Sequence, residues 1–431
     1  MLTRLFGFNP ETQTIGREIS AGFTIFLTMS YILFVNPMIL SDTGMDFGAV
    51  ITATAISAAF GTFLFAFWAK VPLAMAPGMG LNAFFAYSLV IGEGITWQTA
   101  LGVVFLSGVL FLLLTWLGLR KKIVDAIPLS LRMAIPAGIG LFITFIGFQN
   151  MNLIVHDDAT LIAIGEWSTP LMFGLLGVVL IVILEAKKIR GAILIGILAT
   201  TLAAIFTGQV APPETIFSTP PSLSPVAFQL DILAALQWGL MGAVFTFMFV
   251  DLFDSVGTMV ACSYEAGMVD EDGNIQKLDV MLNADAASTI FGALAGTSTT
   301  TAYVESASGI GQGGRSGLVA FTTALLFLAA LFFTPIIYAV PVYATAPALV
   351  AVGIFMFRNI VKIPMQKWPD TVAAFLTIVL MPLTYSISLG LTFGLLSWTL
   401  LMTATGEFRS IHPAMWAAAG MSAINLWITL V

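Results

Sequence analysis

Two carboxylates stand in sequence apolar enough for the interior of a bilayer. Asp254 lies in GAVFTFMFVDLFDSVGTMVAC (242–262) and Glu305 in GALAGTSTTTAYVESASGIG (292–311). A charged side chain at membrane depth costs from about 3 to above 10 kcal/mol, so such groups face a partner or a watery cavity and mark a ligand or proton path. Asp251 precedes Asp254 by one helical turn and shares its face. Two carboxylates that close do not both ionise easily. Asp254 is read as a ligand or proton group, and Asp251 as either a proton carrier or an orienting, structural group. Glu305 follows a run of threonines at the first turn of a half-helix, where the dipole favours a carboxylate. It accepts ligand N–H groups, trades the coupled proton, or caps the helix.

Further polar residues surround this pair in the sequence. Asn82 can donate and accept at once, which suits the edge of a heterocycle; alternatively it satisfies broken backbone around Gly78 and Gly80. Asp285, in LNADAASTIFG, reads as a helix N-cap or an inter-helix brace in the coupling machinery. Thr28, Ser30, Thr258, Thr300 and Ser306 are either ligand contacts or hydroxyls bonded back to their own helix. Phe84, Phe253 and Tyr303 are candidates to stack on a planar substrate, although with 35 phenylalanines most aromatics must serve packing.

The elements that position these groups follow from composition. Of 431 residues, 58% are hydrophobic and 9% charged, against roughly 25% charged in soluble domains. Mean hydropathy is +0.99. Apolar runs long enough to span a hydrocarbon core recur throughout, and the alternation of a membrane barrel is absent. The chain therefore reads as an all-α polytopic membrane protein. Fourteen segments are expected near 19–40, 48–69, 73–91, 97–117, 128–148, 169–186, 190–207, 234–262, 283–296, 301–313, 316–334, 343–357, 368–385 and 388–404. With the N-terminus in the cytoplasm, that count puts all 16 Lys and Arg on the cytoplasmic side, as the positive-inside rule requires. Residues 405–431 form an interfacial helix or a further span. The N-terminus is not a cleavable signal, and the lone Cys262 permits no intrachain disulfide.

Seven is odd, so two halves of seven segments lie in opposite orientations, an inverted repeat common in secondary transporters. Segments three and ten occupy corresponding places. Pro72, Pro77, Gly78 and Gly80 interrupt the first; Thr297, Ser298, Thr299, Thr300 and Thr301 crowd the start of the second with poor helix formers. Each is expected to be a short strand feeding a half-helix near mid-membrane, where irregular backbone is tolerated only beside protein or a cavity. Segments one and eight, FTIFLTMSYILFVNP (23–37) and FTFMFVDLFDSVGT (245–258), also correspond.

Other chemistry finds no support. There is no phosphate-cradling loop, no HExxH and no Cys/His metal set, and GIGQGG (309–314) follows no strand of a parallel sheet. The chain is not read as an enzyme, and no cofactor is expected beyond the coupling ion. An anion carrier would want a cation beside the acids, and a channel a polar stripe along a pore; neither appears.

The stretches APGMGLNAFFAYS (76–88), VDLFDSVGTMV (250–260), LNADAASTIFGALAGTSTTTAYVESASGIGQGGRSGL (282–318) and MPLTYSISLGLTFG (381–394) resemble the AzgA-like guanine/hypoxanthine/adenine permease branch of the nucleobase–cation symporter-2 family. The resemblance implies a core domain of segments 1–4 and 8–11 (1–125 and 234–334) and a gate domain of segments 5–7 and 12–14 (126–233 and 335–404). It implies proton-coupled purine uptake by sliding of core against gate, a homodimer in the inner cell membrane with both termini cytoplasmic, and no nucleic-acid partner. It matches Asp254 and Glu305 to the acids that hold the base, and Val304 to a residue whose backbone N–H contacts it. The helix-eight acid is Glu in the uracil and xanthine branches but Asp here, and Thr258 stands where the uracil branch can carry His.

Overall fold

In the computed structural model, residues 1–118, 126–270 and 274–430 are described. Arg120, Lys121 and Lys122, three of the expected cytoplasmic charges, lie outside them, as do the 125 domain boundary and Val431. Among the described residues nine helices are long and apolar enough to cross a membrane, from Ile15–Ser41 to Ile387–Ala404. Met79–Gly92, Ala192–Phe206 and Trp368–Thr384 are shorter apolar helices. Leu278–Ala295 and Ser306–Ile310 supply helices for segments nine and ten. Each of the fourteen expected stretches thus carries helix. The C-terminal stretch is a further helix, Pro413–Leu430, packed on segment fourteen.

Segments three and ten are broken as their sequences require. Lys70 ends segment two with φ 55°, and the chain then runs extended through Met75–Pro77. That strand pairs antiparallel with Thr300–Ala302, with Met75 opposite Ala302 and Pro77 opposite Thr300. Pro77 sits at the strand's end, where its missing N–H matters least, and the Gly78 N–H continues the contact by donating to Thr299 O at 2.9 Å. The Thr62 hydroxyl receives the Met75 N–H at 2.9 Å and donates to Met75 O at 3.1 Å, so the buried strand backbone is served from segment two. A side chain at Gly61 would reach within 2.8 Å of Ser288 Oγ and 3.1 Å of Met75 Cβ, which explains a glycine where segment two, segment nine and the strand converge.

Three features differ from the sequence reading. Segment one is two helices, Ile15–Met29 and Ile32–Ser41, meeting at Ser30–Tyr31. Segment nine begins at Leu278 rather than near 283, because its first turns are polar enough to read as loop. Residues between segments five and six form a β-hairpin, Ile154–Asp157 with Leu161–Ile164, whose turn is tied by Asp157 accepting from the Ala159 and Thr160 N–H groups at 3.0 and 2.8 Å.

The helices pack in two sets. Segments two, four, eight, nine and eleven pack against one another or the crossed strands, with segment one on segment eleven. Segment five packs on segments twelve and thirteen, thirteen on fourteen, and six on seven and twelve.

Candidate functional site

Because the two strands pair antiparallel, the second ends beside the start of the first, with Ala302 opposite Met75. Tyr303 follows the second strand, and its N–H donates to Ala74 O at 3.0 Å while its hydroxyl donates to Pro77 O at 2.5 Å. Ser306 Oγ accepts the Ala74 N–H at 3.0 Å. Between these two anchors Val304 and Glu305 face outward. Val304 is 53% exposed and Glu305 half-buried. Among the described residues the Val304 N–H has no hydrogen-bond partner.

Glu305 precedes the helix Ser306–Ile310 but makes no capping bond with its side chain, which removes the capping reading. Instead the Tyr31 hydroxyl donates to Glu305 Oε1 at 2.9 Å. The half-helix has five residues, shorter than the 301–313 expected, so its dipole adds little. Thr28 holds the same neighbourhood: its hydroxyl bonds Thr24 O and Ile25 O and lies 3.1 Å from Ser308 Oγ. Ser30 bonds back to Leu27 O.

Asp254, on segment eight, is half-buried and among the charges that act on Glu305. The structure thus brings the two expected carboxylates together. Thr258, one turn beyond Asp254, is half-buried. Asp251 points away from this opening: it is 1% exposed, and its Oδ2 accepts from Thr289 at 3.0 Å.

Several candidates are displaced from the opening. Asn82 is fully buried, and its Oδ1 accepts from the Ser298 hydroxyl; it fastens segment three to segment ten instead of lining a binding surface. Phe84 is fully buried with its ring 4.7 Å from that of Phe247, so it packs and has no free face for a substrate. Phe253 lies against Phe249 at 4.7 Å. Thr300 is buried in its strand, its carbonyl 3.4 Å from the Thr289 hydroxyl. Ser306 is spent on the Ala74 anchor. Asp285 is no N-cap, because its helix starts at Leu278 with Lys277 in the capping position; it is fully buried and faces Ser255 and the Ala302 N–H.

Sequence reasoning missed Tyr31, whose signal is one phenol in apolar text at a helix break. It missed Asn36, which donates to Thr54 Oγ1 at 2.6 Å and Thr297 Oγ1 at 3.0 Å. It also missed Glu185 of segment six, which acts on Glu305 and lines a cleft of about 270 Å³ with Ile181, Ala351, Ile354, Phe355 and Arg358.

Residues 16–393 match the permease family Xan_ur_permease. The chain is 45% identical to putative permease MJ0326 of Methanocaldococcus jannaschii, over 98% of this chain and 97% of that one. It is 41% identical to the adenine permease AdeP of Escherichia coli (96% and 93%) and 43% identical to the guanine/hypoxanthine permease PbuG of Bacillus subtilis (95% and 96%). In fold it resembles the transmembrane domain of the cyanobacterial bicarbonate transporter BicA, with a TM-score of 0.66 at 15% identity over 87% of this chain and 97% of that one. That fold is all-α and polytopic, an inverted repeat in which segments three and ten correspond.

Proposed function

The chain belongs to the Xan_ur_permease family, the nucleobase–cation symporter-2 group, and we propose that it carries a purine nucleobase across the membrane together with a proton. It is a multi-pass transporter and not an enzyme. Adenine and guanine/hypoxanthine are named for its relatives, and the site supplies what a purine edge needs. The observation that carries the reading is the grouping of two partly open carboxylates, Asp254 and Glu305, with the exposed Val304 and its unpaired N–H.

A purine presents N–H donors beside ring nitrogens or a carbonyl. Asp254 and Glu305 accept the donors, and the Val304 N–H donates to an acceptor on the same edge. Charge-assisted bonds of this kind are the stronger class. Tyr31 holds Glu305 in a fixed orientation, which lowers the ordering cost of binding. The base is neutral, so uphill uptake needs a co-transported cation, and the membrane potential favours a proton's entrance by about 2.3 kcal/mol per 100 mV.

The two helix sets support a division into core and gate, with the base site on the core and Glu185 across the boundary. Sliding of one set past the other exposes the site to each side in turn, by an elevator-type alternation. Fourteen crossings, cytoplasmic termini, a place in the inner membrane and a homodimer complete the proposal. Xanthine or uracil is the alternative cargo. An anion is disfavoured despite the likeness to a bicarbonate carrier, because the open side chains are acids.

Uptake of labelled adenine, guanine, hypoxanthine, xanthine and uracil by cells lacking their own carriers tests this reading. Saturable uptake of a purine, abolished by a protonophore, is expected. Uptake of no nucleobase would overturn the cargo, and indifference to the protonophore would overturn proton coupling.

A further inference from the structure

Tyr385 stands where segment thirteen hands over to segment fourteen. The helix Trp368–Thr384 ends on it with φ 55°, a left-handed backbone that glycine usually takes. A larger residue stays there where its surroundings hold it. The Tyr385 ring meets those of Phe142 and Phe145 of segment five edge-on, with centroids 5.4 and 5.9 Å away, and that of Tyr87 of segment three at 6.2 Å. Its hydroxyl donates to Gln149 Oε1, and its carbonyl accepts the Ser88 hydroxyl at 2.9 Å.

These partners belong to different bodies. Phe142, Phe145 and Gln149 share the set of Tyr385, because segment five packs on segment thirteen. Tyr87 and Ser88 follow the strand that pairs with segment ten, so their contact with Tyr385 crosses from one helix set to the other. The Tyr87 hydroxyl donates to Asp42 Oδ2 at 2.8 Å, and Asn150 at the end of segment five approaches it. Asp42 is exposed and follows segment one, which places the contact at the face opposite the N-terminus. Two more bonds join the sets at that face: the Thr345 hydroxyl donates to Met38 Sδ at 2.8 Å, and the Thr246 and Ser388 hydroxyls lie 3.4 Å apart.

The other face is different. Segments six and twelve run away from the Asp42 face and end at Glu185 and Arg358, which line the same cleft. Glu185 acts on Glu305, so this cleft leads toward the base site. We propose that Tyr385, clasped by Ser88 and Tyr87, is the barrier that closes the base site from the face opposite the N-terminus, and that segment three must part from it before a base enters from that face. The clasp suits a contact that breaks. Tyr385 stays on its own set, held by Gln149 and two phenylalanines. Its tie to Ser88 is a single hydrogen bond near an exposed face, where water replaces it on parting. The inference rests on the transport reading above, in which one set slides past the other.

The test uses full-length protein carrying Val304→Cys and Cys262→Ala in sealed vesicles of each orientation, labelled with a membrane-impermeant maleimide in the absence of substrate. With Tyr385 and Ser88 intact, position 304 is expected to label from the N-terminal face about fivefold faster than from the opposite face, because the closed barrier leaves the second route to a minor state. Adding Tyr385→Ala is expected to raise the rate from the opposite face about fivefold, and Ser88→Ala about twofold, with the rate from the N-terminal face unchanged. Labelling from neither face, or equally from both, before either change overturns the proposal. So does an unchanged sidedness, or a parallel rise from both faces, in variants that fold. A purely structural Tyr385 would lower thermal stability and leave the sidedness as it was. Where Tyr385→Ala does not fold, Ser88→Ala decides. The labelling needs no substrate, so it reads the barrier by itself; absence of purine uptake by the unmodified protein instead refutes the transport reading.

Discussion

The Tyr31 hydroxyl donates a 2.9 Å hydrogen bond to Glu305 Oε1, joining the break in segment one to the turn after the strand of segment ten. The two residues are 274 positions apart. Tyr31 stands at the residue before the second helix of segment one, without a side-chain capping bond, and is 1% exposed, so its ring cannot swing away without opening the core. The carboxylate it holds is therefore presented in one orientation.

Removing that donor is expected to weaken substrate binding without unfolding the protein. Tyr31→Phe keeps the buried ring and deletes one bond to a carboxylate, a loss of about 1.5 kcal/mol or roughly a tenfold rise in KM. Uptake kinetics check this, and an unchanged KM would leave Tyr31 as packing alone.

The exposure of Val304 is testable by labelling. Val304→Cys, in a Cys262→Ala background, is expected to react with a membrane-impermeant maleimide in inside-out or right-side-out vesicles and to be protected by the transported purine. Ala302→Cys, at a position 3% exposed, is expected to resist. Equal reactivity of the two, or no protection at 304, would contradict the placement of the site.

Glu18 is a stability determinant. It is fully buried, and it accepts the Arg315 and Ser316 N–H groups, each at 3.0 Å, and the Ser316 hydroxyl at 2.5 Å. It thereby serves the start of segment eleven from segment one. Glu18→Ala leaves these donors without an acceptor and is expected to cost about 3 kcal/mol, with Glu18→Gln costing about a third of that. Thermal unfolding in detergent checks the order.

The Asn82–Ser298 bond clasps the two broken segments together. Asn82→Ala and Ser298→Ala are each expected to lower stability by about 1–2 kcal/mol, and the double variant by less than their sum. A strictly additive double variant would mean the two side chains do not interact.

What could be read from sequence divides along a physical line. The crossed strands were visible because Pro77, Gly78 and the 297–301 hydroxyl run disfavour helix locally, whatever surrounds them. Asp254 and Glu305 were visible because charge in apolar text is rare and costly. The direction in which a side chain points is decided by the tertiary partner. That is why Asn82 reads equally as a ligand group and as a brace, and why Phe84 cannot be told from a stacking ring until Phe247 is found against it. Asp285 reads as a helix N-cap as readily as a brace because Lys277, Asp279 and Asn283 make the first turns of segment nine look like loop. Tyr31 and Glu185 act on Glu305 from segments one and six, and no local pattern announces such a contact.

The most direct measurement is equilibrium binding of labelled adenine, guanine and hypoxanthine to the purified protein, comparing wild type with Glu305→Gln and Asp254→Asn. Saturable binding of at least one purine is expected, weakened at least tenfold in each variant, since each removes a charge-assisted bond to the base. Wild-type affinity in both variants would contradict the assignment of Asp254 and Glu305 as the groups that hold the base.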